Sequence, residues 1–433
     1  MKGARGARHG ARGWTGPARV LTSDVTSLLT TPTVPDLPVF SQPITDPGFV
    51  QNPYPFYDRA RAAGALVFWS EYGLPCATRH AAINALLRDR RLGRQPPSDR
   101  GPASAHMAPF AALQADSILE LEPPRQRRLR GLLQTTITPA QVAAQAPVIE
   151  ALAGSLIEAF PRQGEFDLVA AFTAALPARV ILHVMGLQEV TVADLERWSS
   201  AMVRVYQAGH DRADEHAASD AASCFAAAID RAIAAHRAQP RARMLDALIA
   251  AGDAGEGLSH AELVSNSVLM LNAAREATVH ALGNAVKTLL EEGEAAERAA
   301  WLALGQIEET VEECLRFEPP LHLFTRHVYE PVEVMGHRLE PGSEVICLLG
   351  AAGRDPAQLE DPHRFDPFRP AKPHLAFSAG VHFCLGAGLA RLELKLALQA
   401  LFARCPRLRL VATPRYADSF HFRGPEALMV RID

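Results

Sequence analysis

The sequence lacks the features that mark several classes of protein. Its six cysteines are all far apart along the chain, which argues against paired zinc ligands and against a disulfide framework. No apolar run reaches the about 18 residues that a membrane helix needs, and no repeat or flexible linker divides the chain after residue 40. A formal net charge of -4 speaks against a surface built for nucleic acid. We expect a cytoplasmic, soluble monomer that binds neither nucleic acid nor membranes.

The first 40 residues differ from the rest. Residues 1–23 carry basic side chains without one acid, and a Thr/Pro-rich stretch follows to about Pro43. An arginine-rich leader can be a targeting segment, but no continuous apolar region marks it as secretory. We expect residues 1–40 to form a flexible extension and residues 41–433 to form a single domain.

Helical periodicity dominates that domain. Amphipathic, alanine-rich patterns predict helices at 53–64, 81–87, 139–160, 166–187, 190–208, 213–238 and 307–317. Short strands are predicted at 66–69, 332–335 and 344–347, the last two flanking a turn at 340–343, whereas residues 92–117 are expected to form a long loop. The fold class is therefore mainly α with small β-sheets.

One helix should be longer than the others. Ser259 and Glu262 have the spacing of a capping box, in which each side chain satisfies a backbone donor at the helix start. The apolar pattern continues to about Leu290, which corresponds to roughly 45–50 Å of helix. A helix of that length must cross the domain through its core.

The most informative segment is residues 377–386, which read FSAGVHFCLG and precede a further helical pattern. A cysteine just ahead of a helix N-terminus is stabilised as the thiolate by free N–H groups and by the helix dipole, as an anionic metal ligand requires. Gly380 and Gly386 allow a positive φ or the close approach of a flat ligand, and Phe377 is placed to cover the sulfur. The alternative reading of Cys384 is a small buried apolar side chain.

This segment resembles the cysteine loop of the cytochrome P450 family, which has the pattern F-x-x-G-x-H-x-C-x-G in many bacterial members, and all five fixed positions match. The resemblance extends over about residues 40–433. It implies a cytochrome P450 fold with a long central helix over a buried haem b. It also implies that Cys384 is the axial ligand of the iron, an arrangement that favours O–O cleavage.

The resemblance assigns further residues to the haem. Arg130, Arg326 and His382 match positions that contact the two haem propionates. The chain departs from the family where Gln126 replaces a common histidine four residues before Arg130; its amide can donate a hydrogen bond but carries no charge.

A larger departure lies in the central helix, where residues 273–278 read AAREAT. Family members usually have an acid followed by threonine, and the pair manages protons during oxygen activation. Glu276 matches the acid, but Ala277 replaces the alcohol. Thr278 lies about 100° further around the helix and would reach the site only through a local distortion such as a π-bulge. Glu276 with ordered water, Thr278, or a substrate hydroxyl are the candidates for proton delivery.

A second family motif is Glu313-x-x-Arg316, in the helix that stops at two prolines. On its own this spacing is weak evidence, since Glu122 and Arg125 share it. By resemblance, Glu313 and Arg316 should join Arg364 in a buried network that holds the cysteine loop, because arginine pairs bidentately with carboxylates.

The remaining candidates concern substrate and electron donor. The expected pocket walls are mostly apolar and predict a largely apolar ligand; they are Ala273, Ala277, Leu321, Leu323, Phe324 and Phe420. A basic stripe of Arg125, Arg127 and Arg128 is a candidate docking site for an acidic ferredoxin or flavodoxin.

These observations predict a haem-thiolate monooxygenase that inserts one oxygen atom of O2 into a small, largely apolar substrate, with electrons from a ferredoxin and its reductase. One alternative, suggested by Ala277, is a peroxide-driven peroxygenase or oxidase. Another is a haem or ligand-binding protein without turnover.

Overall fold

The computed structural model describes residues 37–97, 104–207, 209–253, 257–370, 372–417 and 420–432. Helices make up most of its regular structure. They are α1 Pro47–Gln51, α2 Tyr54–Ala63, α3 His80–Arg88, α4 Ala108–Ala115, α5 Arg125–Gln134, α6 Pro139–Ala143, α7 Ala146–Glu158, α8 Ala175–Met185, α9 Val192–Arg204, α10 Arg212–Ala238, α11 Met244–Asp253, α12 His260–Glu292, α13 Ala295–Trp301, α14 Ile307–Phe317, α15 Leu349–Ala352 and α16 Ala387–Arg404.

The strands are short and form three small sheets. They are β1 Val39–Phe40, β2 Leu66–Trp69, β3 Leu74–Ala77, β4 Leu92–Gly93, β5 Glu165–Asp167, β6 Phe324–Val328, β7 Val332–Val334, β8 His337–Leu339, β9 Glu344–Cys347, β10 Leu408–Leu410 and β11 Met429–Ile432. The largest sheet has the order β1-β2-β3-β9-β6-β4; the others are β10-β11-β5 and β7-β8. The mainly α class with small sheets is confirmed.

The six-stranded sheet joins distant parts of the chain. Cys76 of β3 is in register with Ile346 of β9 in a parallel pair, and β6 pairs antiparallel with the other edge of β9. β1 begins two residues before the expected domain boundary at 41, because Val39 and Phe40 pair with Phe68 and Trp69. Residues 1–36, most of the expected flexible extension, lie outside the described residues.

The apolar interior divides into two clusters. The larger one is formed by the faces that the helices turn toward one another, and the smaller one covers the six-stranded sheet with α2 and α3. Aromatic rings dominate the smaller cluster, where Phe49, Trp69 and Phe420 lie in mutual contact. Burial of such rings supplies a large share of the hydrophobic stabilisation.

α12 runs through the larger cluster for 33 residues, which corresponds to about 50 Å. The capping box at its start is present: Ser259 accepts from the backbone of Glu262, and Glu262 accepts from the backbone of Ser259. α8, α9, α10, α14 and α16 pack around the helix. The expected helix and its start are therefore confirmed.

Several segments differ from the sequence expectation. The expected loop at 92–117 contains β4 and α4, and the expected helix at 166–187 is divided into β5, a π-helical turn at Val169–Thr173, and α8. β7 and β9 do not form one hairpin, because β7 pairs with β8 while β9 lies inside the large sheet. Helix and strand propensities reflect neighbouring residues, whereas these strand pairings depend on residues that are distant in the sequence.

The stretch Pro139–Glu158, which comprises α6 and α7, is long and apolar enough by composition to cross a membrane. In the fold, α7 packs its apolar face against α16 and α8. Ile149, Ala153, Leu156 and Ile157 are buried there. A core helix satisfies the same composition criterion.

Candidate active site

The cysteine loop between residues 377 and 386 is held by its own backbone. The N–H of Cys384 donates to the Phe377 carbonyl at 3.0 Å, and that of Phe383 donates to the Gly380 carbonyl at 3.1 Å. Gly380 has φ +71°, and a Cβ there would lie 2.3 Å from the Leu87 carbonyl oxygen. Glycine is therefore required at 380, because any side chain would meet both backbone strain and a clash with the end of α3.

Cys384 is a half-buried residue just before the start of α16. Burial raises the pKa of its thiol, whereas the Gly386 N–H, Arg130 and Arg391 lower it. Gly386 has φ −86°, and apart from its chain neighbours and its own helix no described atom lies within 4 Å of the position a Cβ would take. The cysteine therefore has a hydrogen-bond donor and cations that favour the thiolate, with open space at the nearby glycine.

Phe377 packs in a stack that sequence reasoning did not find. The guanidinium of Arg391, in α16, lies 4.4 Å from the centre of its ring. Glu312 of α14 fixes that guanidinium, accepting from Nε at 2.6 Å and from a terminal nitrogen at 2.9 Å. His374 Nε2 lies 3.1 Å from the same carboxylate. The cysteine loop is therefore linked to α14 by an ion pair that no local sequence motif predicts.

The three expected propionate contacts occupy different environments. Arg326 is 2% exposed and donates to the Thr325 carbonyl, and within the described residues no carboxylate lies within 4 Å of its guanidinium. Burial is the first cause that lowers its pKa to about 10, and nearby Arg94 is the second. Arg130 is partly buried, and its pKa is lowered by burial and raised by Cys384. Arg326 is thus a buried cation with no carboxylate in direct contact among the described residues, although Glu122 and Glu120 act on it from further away.

His382, the third expected contact, has a partner within the chain. Its Nε2 lies 2.9 Å from Glu122, which also accepts from the backbone N–H of Arg94 at 2.6 Å. Burial lowers the pKa of His382, although the hydrogen bond to Glu122 opposes this effect. Glu122 and Arg94 were missed as members of this cluster, since neither lies in a recognisable motif.

Gln126 faces the cysteine loop. It is 2% exposed, and its amide nitrogen donates to the Val381 carbonyl at 2.9 Å. The expected hydrogen-bond donor is present, but its acceptor is the backbone beside Cys384. Gln126, which stands where the family commonly has histidine, therefore connects α5 to the cysteine loop by a hydrogen bond.

Glu276 lies where α12 packs against α9. Its carboxylate accepts from Ser199 at 3.1 Å and from the neighbouring Arg275, and His280 Nε2 lies 3.9 Å from its other oxygen. Burial and Arg275 lower the pKa of His280 to about 4, so the imidazole is neutral near pH 7. The predicted acid is therefore buried and held by neighbours on two helices.

α12 keeps regular helical structure through residues 273–278. The expected distortion that would bring Thr278 into the site is absent, and Thr278 is buried. Ala273 is exposed and Ala277 is partly exposed, although most neighbouring positions of this helix are buried. The two alanines therefore mark one accessible strip in the middle of a core helix.

Three of the expected pocket walls lie in the smaller apolar cluster, namely Leu321, Leu323 and Phe420. Phe420 is 7% exposed and packs against Phe49 and Trp69. Their assignment as pocket walls remains a prediction. In an extended segment, successive side chains point to opposite sides, and the neighbouring residue faces the other way.

That neighbour is His421, which belongs to an aromatic wall that sequence reasoning missed. Its ring stacks on Tyr206 at 6.4 Å and contacts Phe422 at 5.0 Å and Phe324 at 6.2 Å. Burial, followed by Arg94, lowers the pKa of His421 to about 3, so the ring is neutral. Phe422 in turn contacts His280 of α12. Of the expected pocket residues outside α12, Phe324 is the one that lies in this wall.

The Glu313 and Arg316 pair is fully buried and bidentate, with both hydrogen bonds at 2.7 Å. Arg316 also donates to the backbone carbonyls of Gly353 and Pro362. The assignment of Arg364 to this network is wrong for its side chain, which is 67% exposed and contributes only its carbonyl. Arg369 takes that place: it is buried, and its Nε lies 3.6 Å from Glu313. Charged residues abound in this segment, and sequence alone does not tell which one points inward.

The expected basic stripe is largely neutralised. Arg125 and Arg128 both pair with Glu262 at the start of α12, and Arg125 also pairs with Asp116. Arg127 remains exposed. These arginines therefore connect α5 to α12 rather than forming a free row of charge.

Comparison with known proteins agrees with this architecture. A family model described as Cytochrome P450 matches residues 304–408. Cytochrome P450 107B1 of Saccharopolyspora erythraea is 33% identical over 418 residues, which cover 93% of this chain and 99% of that protein. P450BioI, crystallised with an acyl carrier protein ligated to hexadec-9Z-enoic acid, has a TM-score of 0.83 at 29% identity, covering 89% of this chain and 100% of that one. Myxobacterial CYP267B1 with myristic acid has a TM-score of 0.81 at 32% identity, covering 90% and 98%.

Proposed function

This chain belongs to the cytochrome P450 family of haem b monooxygenases, and from this we propose that it inserts one oxygen atom of O2 into a small, largely apolar organic substrate. The electrons come from a ferredoxin and its reductase. The observation that carries the proposal is the thiol of Cys384 at the start of α16, which accepts a hydrogen bond from the Gly386 N–H and whose pKa is lowered by that bond and by Arg130 and Arg391, against the effect of burial. A thiolate ligand in this setting supplies the electron density that O–O cleavage requires.

The described residues fit haem b in three respects. Cys384 is half-buried, and open space lies at the nearby Gly386. The small side chains of Ala273 and Ala277 leave a strip of α12 accessible within the core. Arg326 is a buried cation that no carboxylate of the described residues contacts directly, and such a group is costly unless an anion pairs with it. Arg326, with Arg130 and His382, would hold the propionates, whereas Cys384 would hold the iron.

Proton management is assigned to Glu276 and the groups around it. Its carboxylate is fixed by Ser199 and Arg275, and neutral His280 stands one helical turn away. A buried, positioned carboxylate can pass protons through water to the reacting oxygen. Ala277 contributes no hydroxyl to this relay, and buried Thr278 lies outside the accessible strip.

Installing the missing hydroxyl should improve coupling. In Ala277→Thr, the added group lies on the accessible strip beside Glu276 and can order a water there. We expect the ratio of product formed to hydrogen peroxide released to rise about 2- to 10-fold, the effect of one hydrogen bond of about 0.5–1.5 kcal/mol. Product and peroxide are measured in the same turnover assay. Ala277→Val has the same shape without the hydroxyl, and an equal gain in that variant would contradict the assignment.

The substrate is proposed to be largely apolar because aromatic rings line the region between α12, α9 and β6. Tyr206, Phe324 and Phe422 contribute carbon surface there, and His421 adds one neutral hydrogen-bonding ring. The structural relatives named above were crystallised with a fatty acid or a fatty acyl carrier protein. Fatty acids and compounds of similar polarity are therefore the first set to screen by spectral displacement of water from ferric iron.

The electron donor is proposed to dock beside the cysteine loop. Phe383, next to the ligand, is 41% exposed. Gly380 touches the end of α3, so exposed Arg88 adjoins the loop on one side. Gln126 ties α5 to the loop on the other side, next to exposed Arg127. An apolar centre with cations around it suits an acidic ferredoxin or flavodoxin. The protein is proposed to act as a cytoplasmic monomer.

The experiment that tests this function compares electron sources on the purified holoenzyme. With a screened ligand present, we expect product with ferredoxin, reductase and reduced nicotinamide, and little with hydrogen peroxide alone. Comparable rates with peroxide alone would favour the peroxygenase alternative suggested by Ala277. Binding without product from any donor would contradict the proposal and indicate a haem or ligand-binding protein.

A further inference from the structure

The ion pair between Glu312 and Arg391 lies between α14 and the cysteine loop. Although burial acts against it, the hydrogen bonds from Arg391 and His374 lower the pKa of Glu312 to about 2, so this carboxylate is ionised at any working pH. Ala376 donates its N–H to His374 Nδ1, and His374 Nε2 lies 3.1 Å from Glu312. Arg391 is the permanent positive charge of the cluster, because a guanidinium stays protonated in proteins.

Arg391 is held beside the cysteine loop by packing as well as by charge. Its guanidinium lies on the face of Phe377, which attracts the cation, and the Phe377 carbonyl accepts the N–H of Cys384. Glu312, which holds the guanidinium, belongs to the neighbouring helix α14. The positive charge of Arg391 therefore adjoins the segment that carries Cys384.

We propose that Arg391 is a positioning residue that sets the reduction potential of the iron by placing a fixed positive charge beside the Cys384 sulfur. Glu312 and Phe377 hold that charge in place. The inference rests on the proposed function, since it assumes that Cys384 binds the iron. Reduction adds negative charge to the iron and its thiolate, so a nearby cation stabilises the ferrous form. Arg391 thereby favours acceptance of the electron.

The alternative is that Glu312 and Arg391 only fasten α14 to α16. The chain offers a matched control, because Glu308 and Lys395 form a second ion pair between the same two helices, with Lys395 one turn beyond Arg391. Lys395 therefore lies further from the cysteine loop along α16 than Arg391 does. If both ion pairs only fasten α14 to α16, disrupting either pair should change the reduction potential by a similar amount.

The test is spectroelectrochemical titration of the holoprotein without substrate or redox partner. We expect Arg391→Leu to lower the equilibrium constant for reduction about tenfold, which is about 59 mV for one electron. Glu312→Gln removes the anion and keeps the cation, so we expect a shift of opposite sign. Arg391→Lys should retain most of the wild-type value, and Glu308→Gln and Lys395→Gln should change the constant less than about twofold.

Opposite shifts in Arg391→Leu and Glu312→Gln cannot come from loosening of the helices, which would move both variants in one direction. Shifts of the same sign, or no shift in either variant, would overturn the inference. The reduced carbonyl adduct is recorded for every protein as a separate readout. If the wild-type adduct lacks the thiolate-type band, the proposed function fails first; if the band is present and the potentials do not move, only the role of Arg391 is refuted.

Discussion

Replacing Cys384 with histidine is expected to abolish oxygen insertion and to move the carbonyl adduct of the reduced protein to the position seen for histidine-ligated haem. The sulfur is the only part of the loop that can supply a thiolate to the iron, and an imidazole donates far less electron density. Loss of an outer-shell partner typically costs about 10- to 100-fold in metal affinity or activity, and loss of the ligand itself should cost more. Absorption spectra and product formation are measured on the same preparation.

The matched control is Cys224→Ser, because Cys224 is exposed on α10, outside the cysteine loop. It should retain the wild-type spectrum and rate. Retention of the wild-type carbonyl band by Cys384→His would show that another group binds the iron. The assignment of the whole site would then be wrong.

Arg316→Met is expected to destabilise the protein by about 3–5 kcal/mol, the cost of leaving a buried charge without its partner. Glu313 is fully buried and would keep its backbone donor at Asp366 and the longer contact to Arg369 at 3.6 Å, but it would lose both hydrogen bonds from Arg316. The carbonyls of Gly353 and Pro362 would lose their donor as well. The free energy of unfolding and the haem content of the purified protein are the measurements, and both should fall.

The control pair has the same spacing on a helix surface. Asp194 and Arg197 of α9 form an ion pair three residues apart, and the Arg197 side chain is 66% exposed. Arg197→Met should cost little, because solvent already screens that pair. Equal losses in the two variants would mean that burial is not what gives the Glu313 and Arg316 pair its importance.

Elements with a strong local signal were predictable from the sequence. The capping box and the apolar pattern located α12, and the proline stop located the end of α14 at Phe317. The need for glycine at 380 followed from the loop motif and agrees with its positive φ. Each of these features is decided by residues that are neighbours in the chain.

Features decided by distant contacts were not predictable in the same way. Arg364 and Arg369 are both arginines of one irregular segment, and their burial depends on how that segment crosses α14. Phe420 and His421 are neighbours in an irregular segment, and no periodic pattern tells which of the two side chains meets the core. Arg125 and Arg128 pair with Glu262 of α12, which is distant in the sequence, so the two arginines were expected to be unpaired.

The order of strands in the large sheet also constrains how the protein is made. β2 and β3 leave the ribosome early, but the inner neighbour of β3 is β9, which follows every helix from α4 to α14. Until β9 is synthesised, one edge of β3 remains unpaired, and the aromatic cluster beneath it is incomplete. The nascent N-terminal part is therefore open to wrong strand pairing for most of translation, and chaperone supply during expression should affect the yield of this protein.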